Sequence, residues 1–322
     1  MIAYSPPTLF CPFPQETHPL LPRLEEEALA RWALYLGAQA RPAFLEKLRA
    51  ARFPELLARC HPSACPERLR VALDFLIWNF AWDDAVDEGE VCAAWVREQN
   101  WRALAVLQGA VPAADAPPLL GLLGDLRARM AERMPRAWLW RFVEACRAYF
   151  HGTWREAQAR GEQRHLDVAS YIALRRLSVG TSMVFTQVEA VEGFVLPDEV
   201  LAHPALARLM TTATDAIAWA NDLFSFPQDT RDAFHPNLVS SLREERGLTL
   251  RDALDLAVRM HDTSVRCFLV RETSLPSFGE HDAAVSRLVL GLRRWMRANI
   301  DWSLASGRYP HASPGAGHSR VA

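Results

Sequence analysis

The chain has 322 residues, 50% of them hydrophobic, and a formal net charge of −2. That is enough apolar sequence for one large core or two smaller ones, and the balanced charge excludes a polyanion as partner. Arginine supplies nearly all the positive charge, Lys47 being the only lysine, and no basic stripe marks a nucleic-acid surface.

The first residues, MIAYSPPTLFCPFPQETHPLLP, carry neither a basic n-region nor a continuous apolar core, so they do not read as a secretory signal. They read instead as a Pro-rich arm over 1–21. From there almost every segment has helical rather than alternating periodicity. Helices are expected at 22–37, 41–59, 66–88, 93–109, 117–132, 135–162, 167–191, 197–226, 249–272 and 280–305. The breakers VPAADAPP, GFVLPDE and TSLPSFGEHD separate some of them. No alternating Val/Ile/Thr run predicts a sheet. No GxGxxG follows a strand and no GxxxxGK[ST] occurs, which removes the usual dinucleotide and P-loop readings. The expectation is an all-α protein with one large helical domain over 22–310 and a flexible tail, HASPGAGHSRVA, over 311–322. The stretch 66–82 is apolar all round and should be a central helix.

No apolar run has the length of a membrane span. The cysteines Cys11, Cys60, Cys65, Cys92, Cys146 and Cys267 show no CxxC pair or His spacing, so they read as reduced, mostly buried thiols of a cytoplasmic protein and argue against a structural zinc site.

Two clusters interrupt apolar helices with oxygen-bearing side chains. In LDFLIWNFAWDDAVDEGE, residues 73–90, Asp83 and Asp87 share a helix face, as do Asp84 and Glu88. Like charges at that spacing, near the negative end of the helix dipole, destabilise a bare helix, and a bound divalent cation reverses both penalties. Taken alone, the cluster reads equally well as a solvated acidic helix end. In AWANDLFSFPQD, residues 218–229, Asn221, Ser225 and Asp229 recur at i, i+4 and i+8. All three are oxygen ligands of the kind hard Mg²⁺ prefers, with no sulfur or imidazole among them. The competing reading is a hydrogen-bonded polar seam. A multi-Mg²⁺ site facing a phosphorylated ligand explains both clusters together.

With these motifs the sequence resembles the class I terpene synthases of bacteria, the terpene cyclases. DDAVDE is similar to their aspartate-rich motif, as DDxxD ending at Asp87 or DDxxxE ending at Glu88. NDLFSFPQD is similar to NDxxSxxx(D/E), with Asn221, Ser225 and Asp229 as ligands. RRLSVG at 175–180 resembles RRxTxG, which implies Arg176 as diphosphate sensor, Arg175 if the register is one off, and Gly180 at a helix break facing the substrate. GRYP resembles the family's Arg-Tyr pair and implies Arg308 and Tyr309 as diphosphate donors. The resemblance covers residues about 75 to 310. It implies a class I terpenoid synthase fold, Mg²⁺ as cofactor with three ions per active site, and cyclisation of a prenyl diphosphate to a terpene hydrocarbon or alcohol. Farnesyl diphosphate is the default substrate, with geranyl and geranylgeranyl diphosphate open, and a homodimer is a form the family adopts.

This chain departs from the pattern at Ser178 for threonine, at Gln228 where the family often has a basic residue, and at Asp229 for glutamate. Pro227 threatens the helix that should carry Asp229. These departures keep open a non-catalytic all-α isoprenoid-binding protein with a degenerate metal site. A chain elongase would carry a second aspartate row instead of Asn221 and Ser225. A helical Mg²⁺-dependent pyrophosphohydrolase would leave the arginines and tryptophans without a role.

A reactive carbocation needs a dry wall of apolar and aromatic groups. Phe80 and Leu76 lie one and two turns before the aspartates, Met183 and Phe185 follow Gly180, and Trp295, Asn299 and Trp302 form one face leading to Arg308 and Tyr309. Asn79, four residues before Asp83, is an amide on that wall. It either steers a cation, holds a water or bonds to backbone between helices.

Overall fold

The computed structural model describes residues 6–36, 42–87, 92–113 and 115–309, without the side chains of Val86 and Asp87. Among these residues the regular structure is helical throughout. In chain order the helices are α1 (Leu21–Leu36), α2 (Pro42–Ala51), α3 (Phe53–Cys60), α4 (Pro66–Asp87), α5 (Ala93–Leu107), α6 (Pro118–Ala131) and α7 (Arg136–Gly161). They continue with α8 (Val168–Ser178), α9 (Thr181–Glu192), the single turn α10 (Asp198–Leu201), α11 (Pro204–Asp229), α12 (Leu238–Arg246), α13 (Leu250–Thr273) and α14 (Asp282–Ala305).

The apolar helix α4 is central, as its sequence implies. Leu69, Leu73, Phe75, Ile77 and Trp78 are all buried, each such side chain contributing about 1.5–3 kcal/mol. The indole N–H of Trp78 donates to the Leu119 carbonyl of α6 at 2.8 Å, and that of Trp138 in α7 to the Thr186 carbonyl at 3.0 Å. Those bonds let large rings enter the core without leaving a donor unmet. Asp74, wholly buried on α4, is held by Arg31 at 2.9 Å and Arg129 at 3.0 Å. A second apolar cluster forms where α8, α12 and α13 pack around the second half of α11. The N-terminal arm lies along α13 and α14. Phe10 N donates to Asp262 at 2.9 Å and Gln15 to Asp301 at 2.9 Å. The tail expected over 311–322, like Glu88, lies outside the described residues.

Three expected segments divide and one helix is added, each for a local reason. The segment 41–59 divides at Arg52, which takes a left-handed φ of 52° directly before a helix opened by Phe53-Pro54. The segment 167–191 divides at Gly180, φ 77°, a conformation that costs glycine no Cβ clash. The segment 197–226 breaks at His203-Pro204, and α11 then runs on through Pro227 to Asp229. A proline in the last turn removes one donor near an end whose bonding is already thinning. Helix α12 is an addition: Asn237 caps it by accepting from Val239 N, and Gly247 ends it in the left-handed region.

The bundle is tightly packed where α7 meets the end of α8. A Cβ built on Gly152 would stand 2.7 Å from Ser178 N and 2.9 Å from its Cα. Gly152→Ala must therefore push α8 outward. It is expected to cost about 1–3 kcal/mol and lower the thermal midpoint by several degrees, read by circular dichroism. An unchanged midpoint would show that α8 can move away from α7 without loss.

Candidate active site

Two helices run from apolar residues to oxygen-bearing ones in the same order along the wall of one cavity, and a third brings its C-terminal segment to the polar end. Helix α4 contributes Leu76, Asn79 and Phe80, then Asp83 and Asp84; α11 contributes Ile217, then Asn221, Ser225 and Asp229. Helix α14 contributes Trp295, Asn299 and Trp302, and the chain beyond it adds Arg308 and Tyr309. Because the order is shared, the polar groups gather at one end of the cavity and the apolar groups at the other. The cavity volume is about 290 Å³.

At the polar end the carboxylates of α4 are engaged by neighbours. Asp83 accepts from the Tyr149 hydroxyl at 2.7 Å. Asp84 meets Lys47 Nζ at 2.9 Å and Arg308 Nη2 at 3.2 Å. The Arg308 guanidinium lies 4.6 Å above the Phe80 ring. Burial disfavours its charge, but Tyr309, Asp84 and Asp83 outweigh that and hold it firmly protonated. Burial pushes the Tyr309 hydroxyl upward, so it stays a donor at neutral pH.

Across the cavity, Asn221 accepts from Arg175 Nη2 and donates to the Tyr309 hydroxyl at 2.7 Å. Ser225 donates to Asp229 at 2.6 Å, and Asn237 Nδ2 donates to the same carboxylate at 2.8 Å. His235 Nε2 stands 3.8 Å from Asp229. Gln228 turns its amide to the Arg308 carbonyl at 2.6 Å and so ties α11 to the C-terminal segment.

Asp222, next to Asn221, points the other way. It is buried, and it accepts from Arg175 Nε at 2.9 Å, from the Tyr171 hydroxyl and from Leu238 N at 3.2 Å. Burial raises its carboxyl above the ordinary value, while the Arg175 charge and Tyr171 oppose that rise. The Arg175 guanidinium, though desolvated, is held charged by Asp222 and Tyr171. One face of its fork is thus occupied by Asp222, and the other reaches Asn221 at the cavity wall.

The residues of RRLSVG and those after it fall differently from the sequence expectation. Arg176 does not line the cavity: it is half-exposed and forms a bidentate pair with Asp215 at 2.7 and 2.8 Å. Helix α8 runs unbroken to Ser178, so Tyr171, Arg175 and Ser178 share its inner face and Arg176 is rotated off it. Gly180 does line the cavity. Met183 and Phe185 do not; both are buried in the core, and Thr181 and Val184 take the wall instead. The break at Gly180 restarts the helical phase at Thr181, which puts 181 and 184 on one face and turns 183 and 185 away. Glu88 and the Asp87 side chain lie outside the described residues.

Sequence reasoning missed Tyr149 and Glu156, which reach the cavity from α7, and His235. Glu156 accepts from the Ser178 hydroxyl and lies 3.9 Å from Arg175. Nothing in the spacing of α7 sets these residues apart from surface ones. His235 sits in the loop before α12, a helix the periodicity did not reveal.

The groups at the polar end suit a divalent cation. Asp83, Asp84, Asn221, Ser225 and Asp229 offer oxygen only. Among the described residues no three Asp, Glu, His or Cys side chains converge as a metal cluster. The donors instead sit in two sets on separate helices, the arrangement for ions that also bind a ligand between them.

Residues 74–266 match the family model described as terpene synthase family 2, C-terminal metal binding. The chain is 31% identical over 306 residues to the germacrene A synthase of Nostoc punctiforme, covering 94% of both chains. It is 34% identical over 290 residues to the (+)-T-muurolol synthase, (2E,6E)-farnesyl diphosphate cyclizing, of Roseiflexus castenholzii, covering 88% of each. The solved linalool/nerolidol synthase of Streptomyces clavuligerus superimposes with a TM-score of 0.82 at 26% identity, over 92% of this chain and 100% of that one. The chain belongs to the terpene synthase family, with the class I fold and the family's metal-binding domain. No helix among the described residues is long and apolar enough to cross a membrane.

The Asp222–Arg175 pair generates a stability prediction. Asp222→Ala strands a desolvated guanidinium, and the loss is expected to be about 3–5 kcal/mol. The urea midpoint should fall accordingly; a variant as stable as the parent would show that Arg175 finds another counter-charge.

Proposed function

We propose that this terpene synthase ionises farnesyl diphosphate and cyclises the resulting carbocation, with Mg²⁺ as its metal, three ions per site, in the cytoplasm. The observation that carries the reading is the division of one cavity into an oxygen-donor end and an apolar, aromatic end. The ions, when bound, neutralise the diphosphate and make it a better leaving group.

The chain's own residues do the rest. Asp83 and Asp84 on α4, together with Asp87 or Glu88, form one ligand set, and Asn221, Ser225 and Asp229 on α11 form the other. Arg175, Arg308 and Tyr309 donate to the diphosphate oxygens as negative charge builds on them. Arg175 takes the contact that the motif alone assigned to Arg176, because only Arg175 reaches the wall. Gly180 lets the chain turn between α8 and α9 so that its backbone faces the substrate. Leu76, Phe80, Val184, Trp295 and Trp302 fold the hydrocarbon and keep bulk solvent out, and the aromatic faces among them attract the cation. Support for a C15 substrate comes from the relatives, among them one that cyclises farnesyl diphosphate.

Purified protein incubated with geranyl, farnesyl or geranylgeranyl diphosphate, with Mg²⁺ or EDTA, tests the whole reading by gas chromatography–mass spectrometry. The expected result is a Mg²⁺-dependent terpene from farnesyl diphosphate. Turnover of only a shorter or longer substrate would reassign the chain length, and no turnover by folded protein would sink the catalytic reading. The two arginines separate in the same assay. Arg175→Lys keeps the charge but loses the fork, and kcat/KM is expected to drop about 100-fold. Arg176→Ala removes a rim ion pair and should stay within about threefold. Equal losses would return the diphosphate contact to Arg176.

A further inference from the structure

On the apolar side of the cavity, Asn79 carries an amide oxygen that no described residue satisfies. Its Oδ1 is buried and no donor among the described residues reaches it. The buried asparagines elsewhere in the fold are engaged. Asn100 accepts from Trp82 at 2.9 Å and donates to Phe150 O at 3.0 Å and Thr153 at 2.9 Å. Asn237 donates to Asp222 O at 3.0 Å and Asp229 at 2.8 Å while accepting from Val239 N at 2.9 Å. Leaving an amide group unpaired in such a place costs about 1–3 kcal/mol, and a leucine there would avoid the penalty.

A second group on the same cavity is in the same condition. The Trp295 indole N–H is buried and has no acceptor among the described residues. The indoles of Trp78, Trp82, Trp138 and Trp302 each find an oxygen, at 2.8, 2.9, 3.0 and 2.6 Å. The Trp32 indole and the Gln187 amide nitrogen are also unpaired, but neither lines this cavity. Asn299, one turn after Trp295, adds a third polar group to the wall, held by a long 3.5 Å bond to Ile217 O. An amide, an indole donor and a second amide lining one cavity supply the two to four partners that a buried water requires.

We propose that Asn79, with the Trp295 indole, holds a water molecule at the apolar end of the cavity, and that this water captures the cyclised carbocation, so that the product is a terpene alcohol. The inference rests on the cyclase reading above. Asn79 lies one helical turn, about 6 Å of rise, from Asp83, so the water sits below the departing diphosphate rather than beside the metal ligands. In the reaction the C–O bond to diphosphate breaks and its electron pair leaves with the diphosphate. A lone pair of the water then forms a C–O bond to the cationic carbon, and the resulting oxonium gives one proton to the diphosphate still held at the polar end. Substrate and water become alcohol and diphosphate, with no redox change. A neutral amide suits this task because it orients a water without being basic enough to deprotonate the cation early.

The test is turnover of the accepted prenyl diphosphate in H₂¹⁸O, with products read by gas chromatography–mass spectrometry. The native enzyme is expected to give a cyclic alcohol as its main product, two mass units heavier than in ordinary water. Asn79→Leu and Trp295→Phe should each lower the alcohol-to-hydrocarbon ratio about tenfold, the loss of one hydrogen bond to the water. The ratio is internal to each reaction, so a reduced yield of folded variant does not mimic the effect. A hydrocarbon as the native product, or a ratio unchanged in both variants, overturns the proposal while leaving the cyclase reading intact. Absence of diphosphate release from every substrate tested overturns the cyclase reading, and this inference with it.

Discussion

The ion pair between Asp222 and Arg175 joins α8 to α11 beneath the polar end of the cavity. A charge buried there survives only because every partner is present: Asp222 also takes the Tyr171 hydroxyl and the Leu238 amide, so the pair organises α12 as well as α8. With one side of the Arg175 fork fixed on Asp222, its other side is directed at Asn221. The position of the cavity-facing Arg175, the start of α12 and the orientation of the Asn221 amide thus depend on one buried carboxylate. This is why the polar stretch within α11 contains an aspartate that turns away from the cavity. Asn221, Ser225 and Asp229 line the cavity, and Asp222 holds the frame.

A second constraint is the common direction of α4, α11 and α14. Helices α4 and α11 pass from apolar to oxygen-bearing residues toward the same end, where the segment after α14 also arrives. A bundle built this way separates two environments that the chemistry needs apart: a hydrated, charged clamp for the leaving group and a dry aromatic wall for the cation. The links across the polar end are hydrogen bonds and ion pairs, Asp84 to Arg308, Asn221 to Tyr309 and Gln228 to the Arg308 carbonyl. They tie the segment after α14 to both ligand-bearing helices, so the C-terminal Arg-Tyr pair is held by the same groups it would serve beside. Gln228, where a basic residue was expected, has this structural duty in place of a direct charge. Asn79 breaks the division, an amide on the apolar side whose oxygen no described residue satisfies. A fold that pairs Asn100 and Asn237 in its interior has reason to leave Asn79 for a ligand.

Much of this is legible in the sequence. Amphipathic periodicity and breakers place most helices, because an apolar stripe repeating every 3.6 residues can be buried on one side only if the chain is helical. The apolar run of 66–82 marks the central helix. The two oxygen clusters, DDAVDE and NDLFSFPQD, are conspicuous because carboxylates and amides are expensive inside apolar helices, and their residue types name a hard cation. The glycine at 180 and the Arg-Tyr pair near the end complete a set of motifs whose order points to the family. Composition, charge and cysteine pattern remove nucleic-acid, membrane-spanning and zinc-site readings.

Tertiary structure decided what periodicity leaves undetermined: which of two adjacent residues faces inward. Arg175 and Arg176 differ by about 100° of helix rotation, and only the packing of α8 against α7 and α11 turns the first to the cavity and the second to Asp215. The break at Gly180 reset the helical phase, so Thr181 and Val184 replaced Met183 and Phe185 on the wall. Tyr149, Glu156 and His235 arrived from segments with no motif, since their role comes from where α7 and the loop before α12 are packed. The survival of α11 through Pro227 was also a matter of position, a missing donor in a final turn. Sequence by itself determined most of the helices, the two oxygen-bearing clusters and the family they point to; the packing of those helices determined which side chains meet at the cavity.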